Sequence, residues 1–279
     1  MAKLTVKDIV ATKSVRKITM LTSYDFLSAR LFDMAEIDIL LVGDSMGMVV
    51  YGEQSTLPVT LEQTIAHTKA VAKGAINHSL VVGDMPFLSF GISIPNTAEN
   101  AGRIIKQGLA EAVKLEGGSA RTGEIKALLE LGIPVMGHLG LTPQSIHQLG
   151  GYKVQGKTAV LADHLINEAK VLERAGVFSI VLEAVPWQLA KEITSQIHIP
   201  TIGIGAGLFC DGQVLVGPDM LGLTPAPHPK FVKKYASLDS IITTAAKNFS
   251  DEVKNGNYPD LDHSYSMSDQ EYDTWKNRK

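Results

Sequence analysis

The sequence contains a single cysteine, Cys210, among its 279 residues. An internal disulfide is therefore excluded, and a reducing compartment such as the cytoplasm is the expected location. The N-terminal stretch "MAKLTVKDIVATKSVRK" has scattered charges and no continuous apolar core, unlike a secretory signal. No run approaches the roughly 18 uninterrupted apolar residues that a membrane helix needs. These features predict a protein without a membrane partner.

The sequence also has no large excess of positive or negative charge. The chain has 26 Lys and Arg against 29 Asp and Glu, a net charge of −3. This near balance argues against nucleic acid or an anionic membrane surface as the main partner. The hydrophobic content of 45% and the charged content of 20% are typical of a globular chain.

Short apolar, β-branched runs are abundant, and they alternate with longer helix-like stretches. Such runs are typical of parallel strands that are covered on both faces. We interpret them as the strands of an α/β fold, a (β/α)8 TIM barrel, with a doubly wound sheet as the alternative. The runs cover residues 17–22, 38–43, 79–85, 111–116, 133–138, 177–183, 199–205 and 212–219.

Helix signals lie between the predicted strands. Segment 60–74 starts after Thr60, a predicted N-cap, and Gln63 is its capping-box partner. Two further predicted helices cover residues 96–108 and 158–176.

We predict one barrel domain over residues 1–265. For residues 5–13 we predict an extra N-terminal helix, placed so that it could close the bottom of the barrel. Residues 266–279 are polar and lack a sustained hydrophobic period, which predicts a loosely ordered tail.

Ionisable residues follow five neighbouring predicted strands. Active sites of (β/α)8 barrels lie at the C-terminal ends of the strands. Each of these residues alone could be a turn former, a helix cap or a buried hydrogen-bonding group. Their coincidence at one end of the barrel favours a functional site. The residues are Asp44, Asp84, Lys114 and Glu116, His138, and Glu183.

The residue types favour proton abstraction next to a carbonyl, with Mg²⁺ holding the enolate. Carboxylates suit a hard divalent cation, which takes one or two of them together with substrate oxygens. The candidate ligands are Asp44, Asp84 and Glu116. Lys114 and Ser45 can bind a substrate carboxylate, and Glu183, across the barrel, is the candidate general base. Opposite charges buried on one strand face, as at Lys114 and Glu116, cost several kcal/mol unless they are paired or ligated.

Three loop regions accompany these residues. Glycines at positions 43 and 47 flank Asp44 and Ser45 and would let a ligand approach. The stretch "TIGIGAG" over 201–207 fits a phosphate site or a tight turn equally well, and does not match the dinucleotide fingerprint. The long segment 137–156 is typical of a lid or a subunit contact.

Seven motifs, in this order, resemble the ketopantoate hydroxymethyltransferase family over about residues 3–265: "LLVGDSMGMVVYG", "GDMPF", "VKLEGG", "PVMGHLGLTPQS", "GGYKVQG", "VLEAVP" and "IGIGAG". The resemblance implies a barrel of the phosphoenolpyruvate/pyruvate superfamily. It implies transfer of a hydroxymethyl group from 5,10-methylenetetrahydrofolate to 3-methyl-2-oxobutanoate, giving 2-dehydropantoate for pantothenate synthesis. It also implies Mg²⁺, a cytoplasmic location and a homodecamer built as a pentamer of dimers.

The family's site residues can be carried over position by position. The resemblance implies metal binding by Asp44, Asp84 and Glu116. It implies contacts with the keto acid by Asp44, Ser45, Asp84 and Lys114, with His138 lining the same pocket, and Glu183 as the proton acceptor.

Three alternatives stay open at this point. The same carboxylates would serve a Mg²⁺-dependent lyase that cleaves or condenses 2-oxo acids without folate. A catalytically silent barrel could serve binding or assembly. A class I aldolase would use Lys114 as a Schiff base.

Overall fold

A computed structural model describes residues 3–278, in which eight parallel strands close into a barrel. Consecutive strands are neighbours, and the last strand pairs in parallel with the first. The predicted (β/α)8 barrel is therefore confirmed, and the doubly wound alternative is wrong because an open sheet has two unpaired edges. The strands are β1 Ile18–Thr22, β2 Ile39–Val42, β3 Leu80–Asp84, β4 Ala112–Glu116, β5 Val135–Gly140, β6 Ser179–Glu183, β7 Thr201–Ile204 and β8 Gly212–Leu215.

Two strands end more than one residue away from their predicted last residues. β5 ends at Gly140 rather than at His138, because its ladder with β6 continues until Gly140 lies opposite Glu183. β8 ends at Leu215 rather than at residue 219, because a short helix with Pro218 in its first turn follows at once. Proline is well tolerated there since its missing N–H would be unpaired anyway.

Helices lie between the strands and after the last one. Two single-turn 3₁₀ helices cover Ser119–Arg121 and Pro143–Ser145. The α-helices are α1 Val6–Ala11, α2 Phe26–Met34, α3 Met46–Val49, α4 Leu61–Gly74, α5 Ile94–Gly108, α6 Thr122–Glu130, α7 Ile146–Leu149, α8 Ala159–Ala175, α9 Trp187–Gln196, α10 Gly217–Met220, α11 Leu238–Lys254 and α12 Asp269–Lys276.

The capping hydrogen bonds confirm the predicted starts of α4 and α8. The Thr60 side chain accepts from the backbone N–H of Gln63, and the Gln63 side chain accepts from the N–H of Thr60. Thr158 is the N-cap of α8, and its side chain accepts from the backbone N–H of Leu161. The Leu161 side chain cannot return a hydrogen bond, so no capping box forms there. α5 starts two residues before its predicted start, because Ser93 provides the cap.

The predicted N-terminal helix is confirmed as α1, and it closes one end of the barrel. Ile9 is fully buried in the same apolar cluster as Ile18, Ile39 and Leu80, which are the first residues of β1, β2 and β3. Since ligands enter barrels from the opposite end, this cluster forms the floor of the interior.

The carboxylate of Asp33, on α2, forms hydrogen bonds with the three residues that precede β3. It accepts hydrogen bonds from the backbone N–H groups of Asn77, His78 and Ser79, at 2.8 to 2.9 Å. Burial alone would raise the pKa of Asp33, but these donors outweigh it and lower the pKa. The ionised carboxylate therefore stabilises the folded state.

We expect Asp33→Ala to lower the free energy of unfolding by about 3 kcal/mol, because three backbone N–H groups, including that of the buried Ser79, lose their acceptor. Since the pKa is lowered on folding, the stabilisation is present above the unfolded pKa and is lost as pH falls through the folded pKa. Urea unfolding at pH 7 and pH 3 measures both effects. Asp163→Ala, at an exposed site on α8, is the control. An equal loss for the two variants at pH 7 would contradict the prediction.

The chain beyond the barrel packs less tightly. Neither α11 nor α12 contains a buried residue. The helix α12 was not predicted; its N-cap Ser268, whose side chain accepts from the N–H of Glu271, supplies a local start signal. The domain boundary at residue 265 and a loosely ordered tail stay predictions, and residues 1, 2 and 279 of those ranges lie outside the described part. Within residues 3–278, no helix is both long enough and apolar enough to cross a membrane.

Candidate active site

A cavity of about 1010 Å³ opens at the C-terminal ends of the strands. Every site residue predicted from the sequence lines it, so the residues that are distant in the chain are close together in space. They are Asp44, Ser45, Asp84, Lys114, Glu116, His138 and Glu183. Asp44, Asp84, Lys114, Glu116 and His138 are buried, and Glu183 is half-buried.

The strand β4 carries two charged side chains into the barrel. Ala112 belongs to the interior cluster, whereas Val113 and Leu115 pack outside against the helices. The alternation of side chains in a strand therefore points Lys114 and Glu116 inward, as predicted.

Lys114 forms a buried ion pair with Asp84. Its Nζ lies 2.8 Å from Oδ1 and 2.7 Å from Oδ2, and the two residues are partners in the register of β3 and β4. Burial lowers the pKa of Lys114, but Asp84, Glu116 and Asp44 outweigh it and raise the pKa. The amine is thus held as ammonium, which is the wrong state for the Schiff-base alternative.

Asp44 follows β2 and is surrounded by negative charge. Its burial, and then the neighbouring Asp84 and Glu116, raise the pKa of Asp44 well above its usual range. The side-chain amide of Gln144 donates to Asp44 Oδ2 at 2.9 Å. The buried Lys114 therefore has three buried carboxylates around it, those of Asp44, Asp84 and Glu116.

His138 lies between two carboxylates. Its Nδ1 is 3.3 Å from Glu116 Oε1, and its Nε2 is 3.3 Å from Glu183 Oε2, though neither contact has full hydrogen-bond geometry. Burial and Lys114 lower the pKa of His138, but Glu116 and Glu183 raise it to about 9 overall. We call the group of Asp44, Asp84 and Glu116 the acid side of the site. The imidazolium of His138 therefore lies between Glu116, on this acid side, and Glu183 on β6.

Ser45 faces the cavity and shares a hydrogen bond of 2.8 Å with the hydroxyl of Tyr24. A Cβ at Gly43 would lie 2.8 Å from Ser45 Oγ, so only glycine leaves the hydroxyl in place. Gly43 therefore leaves room for the Ser45 hydroxyl, whereas the approach of a ligand at these glycines stays a prediction.

The stretch 201–207 makes a close turn at the same rim. Gly205 has a φ of +64°, and a Cβ there would lie 2.7 Å from the Phe231 ring. Both facts fit the tight-turn interpretation of this stretch.

Sequence reasoning missed two residues of the site, Gln144 and Tyr24. Tyr24 follows β1 and could have been found, since strand ends supply the mouth of a barrel. Gln144 lies in the long segment after β5, and no spacing or residue type in the sequence marks it.

The donor chemistry of the site fits a divalent cation. Five carboxylates and two lysines line the cavity, and the buried oxygens Glu116 Oε1 and Gln144 Oε1 have no hydrogen-bond partner among the described residues. Within residues 3–278, however, no three His, Cys, Asp or Glu side chains are arranged to hold an ion. Mg²⁺ often takes only one or two carboxylates, with water and substrate completing its shell. The ligand roles of Asp44, Asp84 and Glu116 stay predictions.

Comparison with solved structures relates the fold to other barrels. The chain superposes on phosphonopyruvate hydrolase in complex with oxalate and Mg²⁺ with a TM-score of 0.58 at 12% identity, covering 99% of this chain and 96% of that one. It superposes on 2,3-dimethylmalate lyase, a PEP mutase/isocitrate lyase superfamily member, with a TM-score of 0.55 at 15% identity, covering 95% and 92%. These likenesses show that the chain shares the barrel fold of these proteins, and membership of their superfamily stays a prediction.

Comparison with protein families gives the closer relationship. The model of the ketopantoate hydroxymethyltransferase family matches residues 3–261. The 3-methyl-2-oxobutanoate hydroxymethyltransferase of Thermoanaerobacter sp. (strain X514) is 53% identical over 259 residues, 93% of this chain and 94% of the relative. That of Clostridioides difficile (strain 630) is 52% identical over 256 residues, 92% and 93%. This chain therefore belongs to the ketopantoate hydroxymethyltransferase family and is an enzyme of the hydroxymethyltransferase class.

Proposed function

We propose that this chain transfers a hydroxymethyl group from 5,10-methylenetetrahydrofolate to 3-methyl-2-oxobutanoate, giving 2-dehydropantoate and tetrahydrofolate. The observation that carries the proposal is the convergence of the strand-end residues around one deep cavity, in a chain of this family. The names of the relatives give the keto acid and the transferred group. The folate donor comes from the family resemblance of the sequence motifs.

The acid side of the site binds the keto acid together with Mg²⁺. Asp44 and Asp84, with Glu116 beside them, would hold the cation, which when bound withdraws electrons from the keto group. The ammonium of Lys114 lies at the same side, where it can contact a carboxylate or a developing negative oxygen. Ser45 donates to the substrate carboxylate, and the hydrogen bond with Tyr24 fixes its hydroxyl.

Glu183 is the proposed base. It is half-buried on the opposite side of the cavity, on β6, where its side chain lies beside His138. It takes the proton from C3 of the keto acid, and C3 forms a bond to the one-carbon unit of the donor. The bonds from that unit to the two folate nitrogens break, and a water molecule supplies the hydroxyl group of the product. The remaining proton of the water and the proton taken from C3 go to the two nitrogens of the released tetrahydrofolate. His138, positively charged between Glu116 and Glu183, fixes the direction of both carboxylates.

The size of the cavity supports a second, larger substrate. Its volume of about 1010 Å³ far exceeds the space that a five-carbon acid fills. Cavities of about 300–1,000 Å³ accommodate drug-sized ligands, the class to which a folate belongs. The outer wall is apolar and includes Met48, Val154 and Phe231, which suits a flat ring system.

The test is proton exchange at C3 of 3-methyl-2-oxobutanoate in D₂O, followed by NMR without folate. We expect exchange with Mg²⁺ and a loss on the order of 10²-fold or more after chelation, because the keto acid is a poor carbon acid without a Lewis acid on its keto oxygen. Exchange at an unchanged rate in the chelated enzyme would contradict the role of the cation.

A second assay separates the proposal from a folate-free lyase. Addition of 5,10-methylenetetrahydrofolate should convert the exchanging acid into 2-dehydropantoate. Cleavage of 4-hydroxy-2-oxo acids, with no product from the folate, would support the lyase instead.

The same resemblance supports the remaining parts of the proposal. The reaction belongs to pantothenate biosynthesis, and we place the enzyme in the cytoplasm. A homodecamer, a pentamer of dimers, is the proposed assembly; sedimentation velocity of the full chain tests it.

A further inference from the structure

The side chain of Gln144 connects several strands of the site although the proposed chemistry does not use it. Its amide Nε2 donates to Asp44 Oδ2 and to the carbonyl oxygen of Met85, both at 2.9 Å. Its backbone N–H donates to Glu116 Oε2 at 3.1 Å. Gln144 thus joins the loop after β5 to residues at the ends of β2, β3 and β4.

The chemistry of these contacts requires an amide. Asp44 Oδ2 and the Met85 carbonyl are both acceptors, so a group with two N–H bonds fits between them and a carboxylate does not. The side chain is buried, so each lost donor would leave an acceptor without water. The remaining oxygen, Gln144 Oε1, has no donor among the described residues.

The two aspartates of the site have partners of different charge. Lys114 neutralises Asp84 with a full positive charge, whereas Gln144 gives Asp44 a neutral donor. A neutral donor fixes the direction of a carboxylate and leaves its negative charge available for another cation. Gln144 also holds Glu116 through its backbone N–H, so one residue orients two of the three predicted metal ligands.

We propose that Gln144 is a positioning residue that orients Asp44 and Glu116 and thereby sets the affinity of the site for Mg²⁺. This inference rests on the proposed function, since it assumes that a cation binds at these carboxylates. Groups that orient metal ligands typically contribute 10–100-fold to metal affinity.

The main test compares Gln144→Met with the unchanged chain by calorimetric titration of the full-length protein with MgCl₂. Methionine keeps the length and volume of glutamine but has no N–H to donate. We expect the Mg²⁺ dissociation constant to rise about 10–100-fold. Gln144→Asn, which keeps the amide but is too short to reach both acceptors, should give a smaller rise and serves if Gln144→Met does not fold.

A matched control separates orientation from stability. The amide of Asn100 donates to the carbonyl oxygen of Ser89, in the loop after β3 and outside the acid cluster. Asn100→Leu should lower the melting temperature and leave the Mg²⁺ dissociation constant within about twofold of the unchanged chain, because no metal ligand loses a partner.

The possible outcomes distinguish the two proposals. Binding of Mg²⁺ by the unchanged chain, with an equal affinity in Gln144→Met, would overturn the role of Gln144 and leave the proposed function in place. Failure of the unchanged chain to bind Mg²⁺, with or without the keto acid, would overturn both. Equal weakening by Asn100→Leu would assign the effect to stability and overturn the positioning role.

Discussion

Replacing Glu183 by glutamine is expected to abolish, or nearly abolish, proton exchange at C3 of 3-methyl-2-oxobutanoate. The variant keeps the size of the side chain and removes the group that accepts the proton. Loss of a general base costs on the order of 10²–10⁴ in rate. Because binding of the keto acid depends on the acid side of the cavity, we expect the dissociation constant of the acid to change little.

Exchange measured by NMR, and binding measured by calorimetry, together separate these two effects. Glu99→Gln, at an exposed position of α5, is the matched control and should exchange at the unchanged rate. If Glu183→Gln exchanged as fast as the unchanged enzyme, Glu183 would have no role as the base.

Replacing Lys114 by methionine is expected to affect both stability and activity. It leaves Asp84 buried without its counter-ion, next to Asp44 and Glu116. Breaking a buried ion pair on one side costs about 3–5 kcal/mol of unfolding free energy. Activity should fall by about 10²–10³ because a charge that stabilises the developing oxyanion is lost.

The double variant Lys114→Met with Asp84→Asn checks the cause of this instability. It removes both charges, so we expect urea unfolding to recover most of the lost free energy while activity stays low. A double variant as unstable as Lys114→Met would show that packing of the lysine stem, and not the unpaired carboxylate, dominates. Borohydride trapping of a covalent adduct at Lys114 would instead revive the Schiff-base alternative.

The barrel and the location of its site could be predicted because both follow from local patterns. Eight apolar runs predicted the strands, and Thr60 with Gln63 predicted the start of α4. The alternation of side chains along β4 was enough to predict that Lys114 and Glu116 point into the barrel. These inferences need only the periodicity of a strand and the rule that parallel strand ends meet at one edge.

Contacts between distant parts of the chain could not be predicted in this way. The bond between Gln144 and Asp44 joins residues 100 positions apart, and it depends on the path of a long loop. The pairing of Lys114 with Asp84, rather than with Glu116 on its own strand, depends on the register of β3 against β4. A sequence pattern gives the face of a strand but not the register between two strands.

The helix α1 has a consequence for the order in which substrates bind. Among residues 3–278, Ile9 and its neighbours fill one end of the barrel, and the cavity opens at the other end. We therefore expect both substrates to reach Asp44, Asp84 and Glu116 from that open end. A small keto acid that reacts at the bottom must arrive before a bulky donor covers it, and must leave after the donor has gone. We expect steady-state kinetics of a compulsory-order type, with the keto acid as the leading substrate; product-inhibition patterns of a random mechanism would contradict this.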